Sequence, residues 1–410
     1  MALAVSDLHE QNTHDGKNYT PALILLAVLY FMMGFITCLN DTLVPYFKKG
    51  FTLTYAESSL VQFYFFLTYL MMSVPAGKFV ERVGYKYSMV IGFLLAGTGA
   101  FLFYPASLFH EYYFFLGALF VLAIGIVLLQ VAANPYITLL GPAKTAPSRL
   151  TLLQGVGSIG TTVAPFFGAQ FILSNITVSD KDSSTLSSTY LGIGAVLLII
   201  AVILVTISLP KIQKTIRTTP VLLKETLSFK NLKLGMLGIF MYVGAEVSIG
   251  TFLTNYIVDT VHIQEHDANK YVALYWGGML VGRLAGALIL KYINAQKVLV
   301  ILSIAAITLI TLSLLSDGYA AVWLMVAVGI CNSVMFAIIF SSAIAGLGKH
   351  TTQASGLLSS AIVGGAVIPY FQGILIDQFN WTISFILPLL CYIYIICFPR
   401  LIKKTEIQTT

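Results

Sequence analysis

Charge is scarce in this sequence. Asp, Glu, Lys and Arg together make up 10% of 410 residues, where ordinary soluble proteins carry about 25%. A chain so poor in charge cannot cover a water-facing surface of ordinary size. Cysteine is also scarce. Cys38, Cys331, Cys391 and Cys397 all fall inside apolar runs, show no metal-ligand spacing, and read as small packing residues. The longest polar linker, 211–233, is too short for a soluble domain. No nucleophile stands beside a base, and no His, Cys, Asp or Glu cluster suggests a metal. The sequence therefore argues against an enzyme and predicts no cofactor. The net charge of +6 does not point to nucleic acid, because the basic residues sit between apolar runs, where topology determinants sit.

Hydrophobic residues are what is abundant: 58% of the chain, with a mean hydropathy of +0.87. Twelve apolar runs are each long enough for a bilayer core, which needs about 20 residues. They cover 21–46, 56–79, 87–108, 112–140, 149–174, 189–210, 234–259, 270–292, 297–315, 319–347, 353–376 and 380–399. Runs of this length predict an all-α membrane protein rather than a barrel. Residues 1–20 are mixed in charge, without an apolar core, and read as a tail rather than a signal peptide. The domain reading is a tail to residue 20, a six-helix bundle over 21–210, a linker over 211–233, a second bundle over 234–400 and a tail over 401–410.

Placing both termini and the linker on one side puts 18 of the 23 Lys and Arg there. Lys48, Lys49, Lys181 and Lys270 fall on the other side, and Arg283 falls inside a span. By the positive-inside rule both termini are then cytoplasmic, and the chain is expected as a multi-pass protein of the inner (plasma) membrane. It is expected to act as a monomer, with the lipid bilayer as its surroundings.

The halves repeat. Gly160-x4-Pro165-Phe166-Phe167 in span 5 matches Gly364-x4-Pro369-Tyr370-Phe371 in span 11 at an offset of 204 residues. Gly125 and Gly329 keep that offset, and Asp41 and Glu246 keep it to within one residue. Parallel repeats about an axis along the membrane normal form a transporter plan, with the site near the midplane between them.

Few acids lie inside the apolar runs, and that makes those few informative. A carboxylate at a helix centre costs roughly 2.5–3.5 kcal/mol on insertion scales, and such residues face a bundle interior or an aqueous path. Asp41 is one, although Pro45 and Lys48 nearby read as a helix end that would put it at the membrane surface. Glu246 is its counterpart in the second half. Either acid can carry a proton. Asp41 with Thr37 and Asn40 equally offers oxygens to Na⁺, so H⁺ and Na⁺ both remain open as coupling cation. Arg283, after Gly282 in span 8, can neutralise an acid or belong to a structural network.

The segment Gly77-x3-Glu81-Arg82-x-Gly84-x-Lys86 between spans 2 and 3 resembles the signature loop of the major facilitator superfamily. Its glycines allow a tight turn and close helix approach, and Glu81 can pair with an Arg or a helix N-terminus. The resemblance implies twelve helices in two pseudo-symmetric bundles, with Gly77, Glu81 and Arg82 gating the cytoplasmic side and Arg283 assigned to the gate with them. Three further segments look like the fucose–proton symporter family: Leu39-Asn40-Asp41-x3-Pro45, Ala132-Ala133-Asn134-Pro135-Tyr136, and Arg149-Leu150-x3-Gln154. Tyr242-Val243-Gly244-Ala245-Glu246-Val247-Ser248 and Tyr275-Trp276-Gly277-Gly278 look like its glucose/galactose branch. Two positions depart from the fucose pattern: Gln130 stands where that pattern has glutamate, and Glu246 where it has glutamine.

The resemblance implies cation-coupled sugar import by alternating access. A neutral, hydroxyl-rich hexose needs amide and carboxylate partners and an aromatic wall. Gln130 with Asn134, and Tyr242 with Glu246, are four residues apart and share helix faces. Asn40, Gln62, Gln154, Trp276 and Asn332 complete the candidate set. Each has a plainer reading: amides also join helices, Trp is common at membrane interfaces, and Asn134 before Pro135 reads equally as the cap of a broken helix. The alternative functions are a drug–proton antiporter of the same superfamily and a non-transporting sugar sensor.

Overall fold

The computed structural model describes residues 20–51, 60–173, 184–207, 209–210 and 222–402. Among the described residues, twelve helices are long and apolar enough to cross a membrane. Spans 1–6 are Thr20–Gly50, Leu60–Val83, Tyr85–Phe109, Tyr112–Leu139, Ala143–Ile172 and Ser184–Thr206. Spans 7–12 are Lys230–Val261, Glu265–Tyr292, Ala295–Leu314, Gly318–Ile344, Gly348–Gln378 and Trp381–Leu401. In each half the first span packs on the fifth, span 1 on span 5 and span 7 on span 11.

Helices in lipid gain little from hydrophobic exclusion, so small residues that bring backbones together decide their packing. A side chain at Gly160 would stand 2.2 Å from the Phe31 carbonyl oxygen, and one at Gly364 would stand 2.1 Å from that of Phe240. These repeated glycines therefore do the same work in both halves. Gly125 and Gly329 do not: Gly125 meets Ala96 of span 3, whereas Gly329 meets Tyr275 of span 8.

The same contacts reset the register between spans 1 and 7. Phe31 and Phe240, 209 residues apart, take equivalent places against glycines 204 apart. By packing, Glu246 is level with Thr37, and Asp41 lies one turn, about 6 Å, further along its helix. The helix itself continues to Gly50, past the Pro45–Lys48 segment that reads as its end. The side chain of Asp41 lies outside the described residues, as do tail residues 1–19 and 403–410 and linker residues 211–221.

Three local expectations are corrected. The signature segment 77–86 is almost wholly helical: span 2 runs to Val83, span 3 starts at Tyr85, and the turn is Gly84 alone. Gly84 has φ 93°, a conformation open to glycine at little cost. Span 7 begins at Lys230, so the linker is shorter than its sequence suggests and contains a short helix, Leu223–Thr226. Span 4 is not broken at Asn134-Pro135; it continues to Leu139. A helical proline leaves the carbonyl four residues earlier without its donor. Here that is Val131, and the Ser355 hydroxyl of span 11 donates to it at 3.0 Å.

That bond is one of several that seal the two halves on the face carrying Gly84 and the linker, called here the linker face. Gln353 Nε2 donates to Glu81 Oε2 at 2.7 Å, Tyr85 and Thr352 hydroxyls meet at 2.8 Å, and Ser148 Oγ donates to the Ala287 carbonyl at 2.5 Å. Spans 2 and 11 touch where Gly356 faces the Ser73 carbonyl; a side chain at Gly356 would stand 2.5 Å from it. The linker helix joins the same seam, because the buried Thr226 hydroxyl donates to Gln353 Oε1 at 3.0 Å and meets His350 Nδ1 at 2.9 Å.

Candidate substrate-binding and coupling site

Two polar clusters are buried among the spans, one in each half. In the N-terminal half, the Tyr69 hydroxyl of span 2 donates to Gln130 Oε1 at 2.7 Å, and the Tyr30 hydroxyl of span 1 donates to Asn134 Oδ1. The four-residue spacing of Gln130 and Asn134 puts both amides on one face of span 4, so two tyrosines from neighbouring helices reach them in register. Asn134 is fully buried and Asn40 nearly so. Among the described residues, Asn134 Nδ2, Asn40 Oδ1 and Gln154 Oε1 are buried without a hydrogen-bond partner. A buried polar atom left unpaired costs about 1–3 kcal/mol, so each of these three carries an unmet hydrogen bond. Gln62 is half-buried in span 2. Thr37 is half-buried and Asn40 buried on span 1. Among the described residues no group of three or more His, Cys, Asp or Glu could hold a metal.

In the C-terminal half, Glu246 sits about 24 Å along span 7 from Lys230, near the middle of that helix. Its carboxylate lies 3.6 Å from the Arg283 guanidinium of span 8, and the Tyr242 hydroxyl stands within hydrogen-bond reach of it. Tyr242 also donates to the Asn332 carbonyl at 3.0 Å, and Tyr275 donates to the Glu246 carbonyl at 3.1 Å. Asn332 is also engaged: its Nδ2 donates to the Tyr275 hydroxyl at 2.9 Å, and its Oδ1 accepts from Tyr392 at 2.6 Å. Fully buried, Asn332 holds spans 7, 8, 10 and 12 together.

Arg283 connects more than Glu246. Its Nη1 donates to Ser158 Oγ of span 5, in the other half, at 2.5 Å, and its Nε donates to the Ser333 carbonyl at 3.4 Å. Trp276, seven residues before Arg283, lies on the same face of span 8 two turns away. Its ring edge sits over Gly250, where a side chain would stand 2.6 Å from the indole, and Trp276 is 42% exposed. Glu246–Arg283 and Gly250–Trp276 are thus two rungs of one seam.

The structure therefore brings Tyr242, Glu246 and Arg283 together, and Gln130 and Asn134 together. It places Gly77, Glu81 and Arg82 well away, at the linker face. It adds Tyr30, Tyr69, Tyr275, Tyr392, Ser158 and Gln353, which the sequence does not single out. One such partner was foreseeable, since the Val131 carbonyl ahead of Pro135 had to find a donor. The gate gives a test: Glu81→Ala, and separately Thr226→Val, is expected to raise deuterium uptake by residues 348–360 several-fold. Uptake equal to wild type in both variants would show that the seam does not depend on these bonds.

Residues 24–363 match the Major Facilitator Superfamily. The chain is 45% identical to a glucose/galactose transporter of Brucella abortus biovar 1, covering 95% of each protein. It is 28% identical to the L-fucose-proton symporter of Escherichia coli K12, covering 97% of this chain and 96% of that one. Among solved structures it is similar to FucP, a Major Facilitator Superfamily transporter in the outward conformation, with TM-score 0.86, 28% identity, and 94% and 99% of the two chains covered. Twelve spans in two packed halves, the signature segment turning on Gly84 and these likenesses agree, and the chain belongs to the Major Facilitator Superfamily.

Proposed function

We propose that this protein imports a hexose of the glucose/galactose type together with a proton, by alternating access between its two halves. The observation that carries this reading is the set of unpaired buried amide atoms on spans 1, 4 and 5 of one half, together with a Glu246 in the other half that is already balanced by Arg283. Such a site calls for a neutral ligand rich in hydroxyls: its donors and acceptors satisfy amides, and its lack of charge leaves the ion pair intact. Asn40, Gln62, Gln130, Asn134 and Gln154 supply polar contacts from one half. Tyr242, Glu246 and Trp276 supply a hydroxyl, a carboxylate and an aromatic face from the other. The 45% identity to a protein named a glucose/galactose transporter supports the hexose.

Asp41 and Glu246 are the cation-coupling residues in this reading. The relative named a proton symporter supports H⁺ over Na⁺. The distribution of Lys and Arg makes the linker face cytoplasmic. With that face sealed by the Glu81–Gln353 and Ser355–Val131 bonds, the described state is the one that loads from outside.

Counterflow in proteoliposomes tests the reading with a panel of labelled hexoses and a cationic drug, under a pH gradient and then a Na⁺ gradient. Exchange of glucose and galactose, with accumulation driven by the pH gradient, is expected. Drug efflux would favour an antiporter, and sugar binding without exchange would favour a sensor. Accumulation driven only by Na⁺ would replace the proton.

A further inference from the structure

Span 10 is interrupted at the depth of Glu246. Its helix stops at Asn332 and resumes at Met335, with no proline or glycine at the break. The carbonyls exposed there are taken by two side chains of the Glu246 cluster: Asn332 O accepts from Tyr242, and Ser333 O accepts from Arg283. Gly282 allows the approach, since a side chain there would stand 2.6 Å from Ser333. The same guanidinium crosses to Ser158 of the other half. One arginine therefore touches the acid of span 7, the break in span 10 and span 5 across the divide.

We propose that Arg283 is a positioning residue that ties the charge on Glu246 to closure of the linker face. This rests on reading Glu246 as a coupling acid. With the carboxylate charged, the guanidinium has a counter-charge and stays in the seam between spans 5 and 8, bridging to Ser158. That seam continues toward the linker face through Gly155 against Leu284 and Ser148 against Ala287. When the carboxylate takes up a proton, the carboxyl becomes neutral and the guanidinium keeps only uncharged acceptors at Ser158 and Ser333. A charge without a partner in a low-dielectric interior is driven toward water, and the nearest boundary it can open is the seam it bridges. Protonation from outside thereby loosens the linker face.

The groups that face Glu246 are Tyr242 on its own span, Tyr275 and Arg283 on span 8, and, beyond Tyr275, Cys331 on span 10 and Tyr392 on span 12. Span 11 presents the neutral Gln372, which accepts from Ser248 of span 7. From the other half, the Asp41 side chain lies outside the described residues. At the linker face, Glu81 and His350 belong to the span 2–span 11 seam instead.

Spin labels on Lys144→Cys and Tyr292→Cys, both exposed at the linker-face ends of spans 5 and 8, report on the seam. Cys38 and Cys397 are replaced by serine, and the buried Cys331 and Cys391 stay. Without sugar, wild type should show a short distance at pH 8. At pH 5.5 a second population should appear, longer by about 5 Å or more, the scale of a one-turn shift between packed elements. Glu246→Gln should populate the longer distance at both pH values. Arg283→Gln should lose the pH response, and Arg283→Lys, which restores the charge, should recover part of it. Ser158→Ala removes only the cross-half hydroxyl and should reduce the short population at pH 8 several-fold.

A wild-type pH response in Glu246→Gln or Arg283→Gln would overturn the proposal, and so would an unchanged short population in Ser158→Ala. A merely structural arginine would lower the melting temperature and leave the pH response in place. Because these distances are read without sugar, they are independent of the substrate. Failure of hexose counterflow with the distances as expected would remove the proposed function and leave the Arg283 link between Glu246 and the seam.

Discussion

Asp41→Asn is expected to abolish concentrative uptake while leaving exchange of sugar at equal concentrations measurable and the melting temperature near that of wild type. The motive is the isolation of this acid. From Ala22 to Asn40 span 1 carries no charged residue, so Asp41 follows nineteen residues without one. A carboxylate tolerated there at a cost of roughly 2.5–3.5 kcal/mol has a use that the isosteric amide lacks. Asparagine keeps the shape and a hydrogen-bonding carbonyl but cannot take up and release a proton. Downhill exchange needs only the sugar contacts and the rocking of the halves. Accumulation additionally needs the cation to travel. Wild-type accumulation by Asp41→Asn proteoliposomes would remove this residue from coupling.

The parts of this molecule that depend on composition and local sequence can be read directly from the chain. Twelve runs of apolar residues specify twelve helices, and the Gly84 turn follows from a residue type that tolerates φ 93°. The Gly160 and Gly364 contacts are legible as a repeat, because only glycine lets two backbones approach so closely in both halves. The break in span 10 is not legible. Asn332-Ser333-Val334 contains no helix breaker, and the interruption persists because Tyr242 and Arg283 supply donors from other helices. Long-range partners of that kind leave no local pattern. The tyrosines that hold Gln130 and Asn134 were hidden for the same reason: in a chain with 22 Tyr, nothing in sequence distinguishes one that reaches an amide from one that anchors at an interface.

The repeat also misleads where the halves have diverged in use. Arg149 and Gln353 stand 204 residues apart, at equivalent places near the start of spans 5 and 11. Arg149 turns back into its own half, donating to the carbonyls of Ile137, Thr138 and Pro142 at 3.2, 2.9 and 3.0 Å. A cation there satisfies the free carbonyls at the end of span 4 and complements its dipole. Gln353 instead reaches across to Glu81. One member of the pair is a helix cap and the other a gate contact. Asp41 and Glu246 show the same divergence in depth, since the glycine contacts put Glu246 level with Thr37. The two acids are therefore staggered by about one helical turn, and each can answer to a different step of the cycle.

That stagger gives Glu246→Gln a different expected outcome from Asp41→Asn: sugar affinity falls and its dependence on pH disappears together. In wild type the carboxylate has the Tyr242 hydroxyl within reach and opposes Arg283 across 3.6 Å. Glutamine preserves the volume but leaves the guanidinium without its counter-charge and offers a ligand one neutral acceptor in place of a charged one. Hydrogen bonds to charged groups contribute about 1.5–3 kcal/mol, so affinity should drop by roughly 10- to 150-fold, with every 1.4 kcal/mol worth a factor of ten. Sugar binding measured by calorimetry between pH 5.5 and 8 provides the check, with Na⁺ present and absent. Pairing the change with Gln130→Glu moves the acid back across the cavity, onto a face where the Tyr69 hydroxyl is already positioned to donate to it at 2.7 Å. Gln130→Glu/Glu246→Gln should therefore regain pH-dependent binding that Glu246→Gln alone has lost. If Glu246→Gln binds sugar with wild-type affinity and wild-type pH dependence, Glu246 is a structural partner of Arg283, and coupling must reside in span 1.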